Sequence, residues 1–163
     1  MTRSWITSTA ILSLHEQLPV RQVYLWCISK DDYIVVAGRN DKWQFPGGKP
    51  DSGESKEQAL EREVFEESGI KLNEYSNRPT IFGYYLIEDD PNWPNDKAYS
   101  QLRFILRIDK DHKEISLSNN EKVDEATPLE DVRWVKLDEL SMFNHSRMSH
   151  SEFESVLTSG IFE

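Results

Sequence analysis

Residues 47–70 read GGKPDSGESKEQALEREVFEESGI, and the reading of this stretch decides the rest of the chain. Ser55 followed three residues on by Gln58 forms a capping box, and Gly69 stands where a C′ glycine ends a helix, so the spacing predicts a helix over 56–68. At about 100° per residue, Glu63, Glu66 and Glu67 fall within roughly 100° of arc, so three carboxylates share one face. They occupy the last two turns, at the negative end of the helix dipole, where clustered anions repel one another. A solvated charged face is the usual fate of a Glu-rich run, but ordinary surface helices intersperse compensating Lys. Something cationic is therefore expected against this face.

Mutual repulsion raises the pKa of some carboxylates in such a cluster, whereas a bound divalent cation holds them ionised. An all-oxygen ligand set suits Mg2+ or Mn2+ rather than zinc. The segment before the helix supplies the other half of the site. Gly47 and Gly48 let the backbone approach a ligand closely, Pro46 stiffens the chain ahead of them, and Gly53 permits the turn into the helix.

Gly48, Glu54, Arg62, Glu63, Val64, Glu66, Glu67, Gly69 and Ile70 fall at the spacing G-x5-E-x7-R-E-U-x-E-E-x-G-U, where U is bulky and apolar, and no position departs from it. On this motif the chain resembles the Nudix hydrolases and looks like a MutT-type member. The resemblance implies an α/β/α sandwich, a mixed β-sheet between helices. Periodicity alone supports only a mixed α and β class. The likeness covers roughly residues 20–140. It implies metal ligation by the Gly47 carbonyl, Glu63, Glu66 and Glu67, with Glu54 and Arg62 supporting the loop and orienting the glutamates. For Arg62, a plain intrahelical ion pair with Glu66 is the competing reading.

Members of this family hydrolyse a nucleoside diphosphate linked to a further group, cutting within the diphosphate. A carboxylate must take the proton of the attacking water. Glu66 or Glu67 can serve from the helix; some members use a Glu from the loop before the last strand, where Glu125 and Glu130 are candidates with Glu121 behind them. The bland reading of each is a solvated loop acid. The WQFPGGK segment resembles enzymes that convert (deoxy)nucleoside triphosphates to monophosphate and pyrophosphate, which is the leading expectation. Hydrolysis of a nucleotide sugar or ADP-ribose, or of a dinucleoside polyphosphate or RNA 5′ end, is the alternative. A non-catalytic nucleotide-sensing module is a further one, although such proteins usually lack one or more of the glutamates retained here.

A chain of 163 residues is most simply one domain, with the N-terminal arm and a C-terminal helix added to the core. Its net charge of −10 argues against broad binding to long nucleic acid or an anionic membrane. A small polyanion arriving with metal ions stays open. No run approaches the roughly 18 apolar residues of a membrane span, and no signal peptide is evident, so a soluble cytoplasmic protein is expected. A homodimer is open too, since family members often dimerise. Cys27, in an apolar run, reads as a buried small residue.

Along the chain, 20–29 and 33–37 read as a hairpin, 80–88, 101–109 and 132–137 as strands, and 89–100 as a loop rich in Pro, Asn and Asp. Arg39 and Lys49 are the basic residues placed for substrate phosphates. Trp93 is the candidate nucleobase contact, with Tyr84, Tyr85 and Tyr99 as weaker ones; strand neighbours face opposite ways, so at least one of Tyr84 and Tyr85 reads as a core or sheet-face residue. Arg103 reads as an outward strand residue, and His145 and His150 as surface residues ahead of an amphipathic tail around Phe153, Val156, Leu157, Ile161 and Phe162.

Overall fold

The run VRQVYLWCI is apolar on both faces, and the molecule is built around it as strand β2 (Val20–Ile28). The computed structural model describes residues 1–7, 13–39, 42–120, 129–142 and 149–163. Val23, Leu25 and Cys27 point into one apolar layer, while Tyr24, Trp26 and Ile28 point into the other. Helix α1 (Lys56–Ser68) covers the first layer through Ala59, Leu60 and Val64, and helix α2 (His150–Leu157) covers the second through Val156. The expected mixed sheet between helices is thus what the chain forms.

β7 (Ala98–Arg107) runs parallel to β2, β6 (Thr80–Glu88) pairs antiparallel with β7, and β1 (Thr2–Ile6) pairs antiparallel with β6. The first residues of the N-terminal arm, which the sequence leaves open between an added strand and a packed arm, are therefore an edge strand. Trp5 fixes it, its ring centroid 4.9 Å from that of Tyr85. The last strand, β8 (Asp131–Lys136), lies on β3 (Tyr33–Arg39), and β4 (Lys42–Gln44) lies on the other edge of β3.

The expected β2–β3 hairpin is closed only at its turn. Ser29 N–H donates to the Tyr33 carbonyl at 2.8 Å and Ile28 faces Ile34, after which the two strands part. Into the gap comes the two-residue strand β5 (Gly47–Gly48), paired with Val23 and Tyr24. This split mounts the glycine loop directly on the central strand. A Cβ at Gly47, whose φ is +154°, would collide with the Val23 carbonyl and Tyr24, so a side chain there would push β5 off β2. The loop after β6 is shorter than expected, because Tyr99 and Ser100 already pair with Ile87 and Leu86 inside β7.

Arg103 corrects the sequence reading. Instead of facing outward, it is 3% exposed and its Nε donates to Glu152 at 3.0 Å. Glu152, fully buried on α2, also accepts from Trp26 Nε1 at 2.9 Å and from the Tyr85 hydroxyl at 2.7 Å. Burial, and then the Glu152 carboxylate, push the Tyr85 hydroxyl up to about 12. In the tail, Val156 is buried as expected, whereas Leu157 faces solvent. A buried ion pair is costly to break on one side only. Glu152→Ala is expected to lower the unfolding free energy by about 3–5 kcal/mol in urea titrations. The double change Arg103→Met with Glu152→Leu is expected to recover most of that loss.

Candidate active site

Helix α1 forms as its ends dictate. Ser55 accepts the Gln58 N–H, Gln58 returns the bond to Ser55 N–H, and Gly69 closes the helix at φ +76°. At the middle of the helix, Arg62 spreads its guanidinium over the loop that precedes it. Nε and Nη2 hold the two oxygens of Glu54, each at 2.9 Å; Nη2 also donates to the Lys49 carbonyl at 3.0 Å. Nη1 donates to Glu63 at 2.9 Å and to Glu66 at 3.3 Å. The intrahelical pair with Glu66 exists, but it is longer than the bonds that tie loop to helix.

The cation that the glutamate face calls for is thus partly internal. Hydrogen bonds from Arg62 hold Glu54 below the usual carboxylate range, and Glu54 raises Arg62 above the usual guanidinium range, so both stay charged. Glu54 accepts the Asp51 N–H as well, at 2.8 Å, which closes the turn.

Glu67 faces the other way. It is 3% exposed and its Oε2 accepts the Gly47 N–H at 2.9 Å. Glu63 lies over the next residue: a Cβ built on Gly48 would stand 2.5 Å from its carboxyl carbon. The two glycines therefore lie close under two of the three glutamates, Glu67 at Gly47 and Glu63 at Gly48. Among the described residues, no three acidic, His or Cys side chains already converge as a metal cage. The donor set nevertheless fits a hard divalent cation. Carboxylate oxygens adjoin backbone that only glycine allows so near, and one arginine offsets part of their charge.

Two expected substrate contacts meet in space. Lys49 Nζ lies 5.5 Å from the Trp93 ring centroid, and on the same ring lies Arg21, its guanidinium carbon at 4.7 Å. Arg21 was not anticipated from the sequence; it also pairs through Nε with Asp96 at 2.6 Å, which pins the 89–97 loop. Arg39 ends β3, where its backbone pairs with Lys42. Tyr84 and Tyr85 are both buried, and Tyr99 is buried with its hydroxyl on Asp90 at 2.6 Å, so none of the three offers a free stacking face. Glu130 is exposed and its N–H donates to the Gly38 carbonyl at 2.9 Å. Glu121, Glu125 and His145 lie outside the described residues. His150 is on the surface, paired with Glu154 at 3.1 Å. Cys27 is fully buried, with its thiol pushed up to about 12.

The NUDIX domain family model matches residues 19–155, and the chain belongs to that family. Its members are pyrophosphohydrolases acting on phosphoric anhydrides, and divalent metals generally serve them. An RNA pyrophosphohydrolase of Sulfurovum is 34% identical over 66% of this chain and 68% of its own length. An 8-oxo-dGTP diphosphatase of Haemophilus influenzae is 45% identical, over 28% of this chain and 41% of its own. RNA pyrophosphohydrolases of Aliivibrio are matched over little more than half of their length. A solved Bacillus subtilis pyrophosphohydrolase shares the fold with a TM-score of 0.64 over 99% of this chain and 93% of its own, at 17% identity. Among the described residues no helix is long and apolar enough to cross a membrane.

Because the folded pKa of Glu54 is depressed, its pairing with Arg62 stabilises fully above the unfolded value of about 4.3 and is lost as pH falls through the folded one. The stability difference between the wild type and Glu54→Gln is expected to shrink as pH drops from about 6 to about 3. Chemical denaturation across that range measures it; a gap that stays constant contradicts the assignment.

Proposed function

We propose that this chain is a divalent-metal-dependent pyrophosphohydrolase that cleaves a 5′-triphosphate to a 5′-monophosphate and pyrophosphate, with a free nucleoside triphosphate as the leading substrate. The observation that carries this reading is the Arg62 cluster. One guanidinium ties Glu54 and the Lys49 carbonyl to Glu63 and Glu66, while Gly47 N–H orients Glu67. Glu63, Glu66, Glu67 and the Gly47 carbonyl are the proposed ligands of Mg2+ or Mn2+. When bound, such an ion neutralises phosphate charge and lowers the pKa of water.

The chain's own groups do the rest. Arg62 and Glu54 hold the loop at a fixed distance from the helix. Glu66 or Glu67 takes the proton of the water that attacks phosphorus, with Glu130 and Glu125 as the competing bases. The anhydride bond breaks and its electron pair leaves on the pyrophosphate oxygen. Lys49 and Arg39 contact the phosphates, and Trp93, flanked by Lys49 and Arg21, contacts the nucleotide.

A second reading, removal of pyrophosphate from an RNA 5′ end, draws support from the RNA pyrophosphohydrolase relatives. It involves the same bond. The net charge of −10 weighs against a long RNA partner. A panel of nucleoside triphosphates, a short 5′-triphosphate RNA, ADP-ribose, nucleotide sugars and dinucleoside polyphosphates, each with Mg2+ and with Mn2+, separates the readings by product. Glu67→Gln keeps an acceptor for the Gly47 N–H, so it is expected to fold normally by circular dichroism yet lose at least about a hundredfold in turnover. Unchanged turnover in that variant would sink the catalytic assignment.

A further inference from the structure

We infer a second, non-catalytic site in this chain, for a small phosphorylated anion, at the end of the sheet away from the glycine loop. A cavity of about 520 Å³ lies where β2 and β7 end and β6 begins. Lys30, Arg78, Arg107 and Asp109 line it, with Ile105 and, from the C-terminal tail, Ile161 among its apolar groups. Lys30 stands six residues beyond Tyr24, the partner of Gly47. At about 3.3 Å per residue that separation is about 20 Å, so the cavity is distinct from the glutamate face.

Its charge runs against that of the molecule. The chain has a net charge of −10, yet three of the four charged residues in this lining are cations. Arginines elsewhere are committed to carboxylates: Arg21 to Asp96, Arg62 to Glu54, Glu63 and Glu66, Arg103 to Glu152, and Arg133 to Asp131. Among the described residues the side chains of Lys30 and Arg78 have no such partner, and both are exposed at the cavity. A guanidinium fork and an ammonium facing one space are matched to an anion.

The wall behind them is held in place. Arg107 Nη2 donates to the Lys30 carbonyl and pairs with Asp32, each at 2.9 Å. Lys30 N–H donates to the Lys110 carbonyl at 2.9 Å, and Asn77 Nδ2 to the Arg107 carbonyl at 3.0 Å. The Arg107 guanidinium carbon lies 5.1 Å from the centroid of the Phe162 ring, which keeps the tail beside the cavity. Nη1 of Arg107 is enclosed and has no acceptor, so this arginine acts on the cavity through its field and not by contact. Lys30 and Arg78 make the contacts.

The volume suits a small organic molecule. A phosphate monoester at neutral pH holds close to two negative charges and three acceptor oxygens, enough to engage both cations at once. Asp109, on the same lining, is placed to accept from a hydroxyl on the ligand's body, and the isoleucines meet its apolar part.

Amide NMR titration of the whole chain in EDTA and low salt, with AMP, inorganic pyrophosphate and adenosine, tests this with the metal-dependent chemistry switched off. Saturable shifts at Lys30, Arg78, Arg107 and Ile161 are expected with both phosphates and not with adenosine. Arg78→Gln and Lys30→Gln are each expected to weaken this binding about tenfold, whereas Glu67→Gln leaves it unchanged. Both cation variants are expected to melt with the wild type, since each alters an exposed side chain without a partner. Shifts confined to residues 47–49, adenosine matching AMP, wild-type affinity in both variants, or no saturation by about 10 mM would overturn the proposal.

Discussion

Everything at the candidate site depends on one guanidinium. Arg62 carries five N–H donors in a rigid fork, and its partners come from both the loop and the helix: Glu54, the Lys49 carbonyl, Glu63 and Glu66. Without that charge, a helix ending in clustered glutamates would repel both itself and the acidic turn that leads into it. With it, attraction to one shared cation outweighs the repulsion and gathers them. The loop is drawn onto the helix and the carboxylates are held in register.

The second constraint is steric. Gly47 and Gly48 fill the gap where β3 leaves β2, and a side chain at either would meet backbone or a carboxylate. The central strand thereby serves two purposes. One of its faces packs under α1, whose far turns carry the glutamates, and its residues at the loop, Val23 and Tyr24, set the height of the glycines.

The two helices hold on by different means. α1 docks through small and aliphatic residues, Ala59, Leu60 and Val64, and needs little polar bonding to the sheet. α2 is short, and it brings a buried carboxylate that is tolerable because Arg103, Trp26 and Tyr85 satisfy it. A buried pair of this kind contributes little net stability compared with apolar replacement. Its bonds tie α2 to both β2 and β7 through Trp26 and Arg103 and to β6 through Tyr85.

Much of this was legible in the chain. The capping box and Gly69 bounded α1 and the alternating runs located most strands, because these are effects of residues near one another in sequence; that Arg62 and Glu54 work together was implied by the family resemblance. Other features were not. Arg103 read as an outward residue since nothing local reveals a Glu152 waiting 49 positions later. Strand alternation put at least one of Tyr84 and Tyr85 in the core, but that both of them and Tyr99 are buried depends on which strands and helices flank them. The parting of β2 from β3 was hidden because a tight turn looks the same whether its strands stay paired or diverge. Sequence by itself determined the helix, its charged face and the glycine loop, since helix ends, periodicity and backbone freedom act over a few residues. Tertiary structure alone decided which side chains met across the sheet: Lys49 with Trp93 and Arg103 with Glu152. Those contacts are set by strand order and register, which arise only when distant segments pack together.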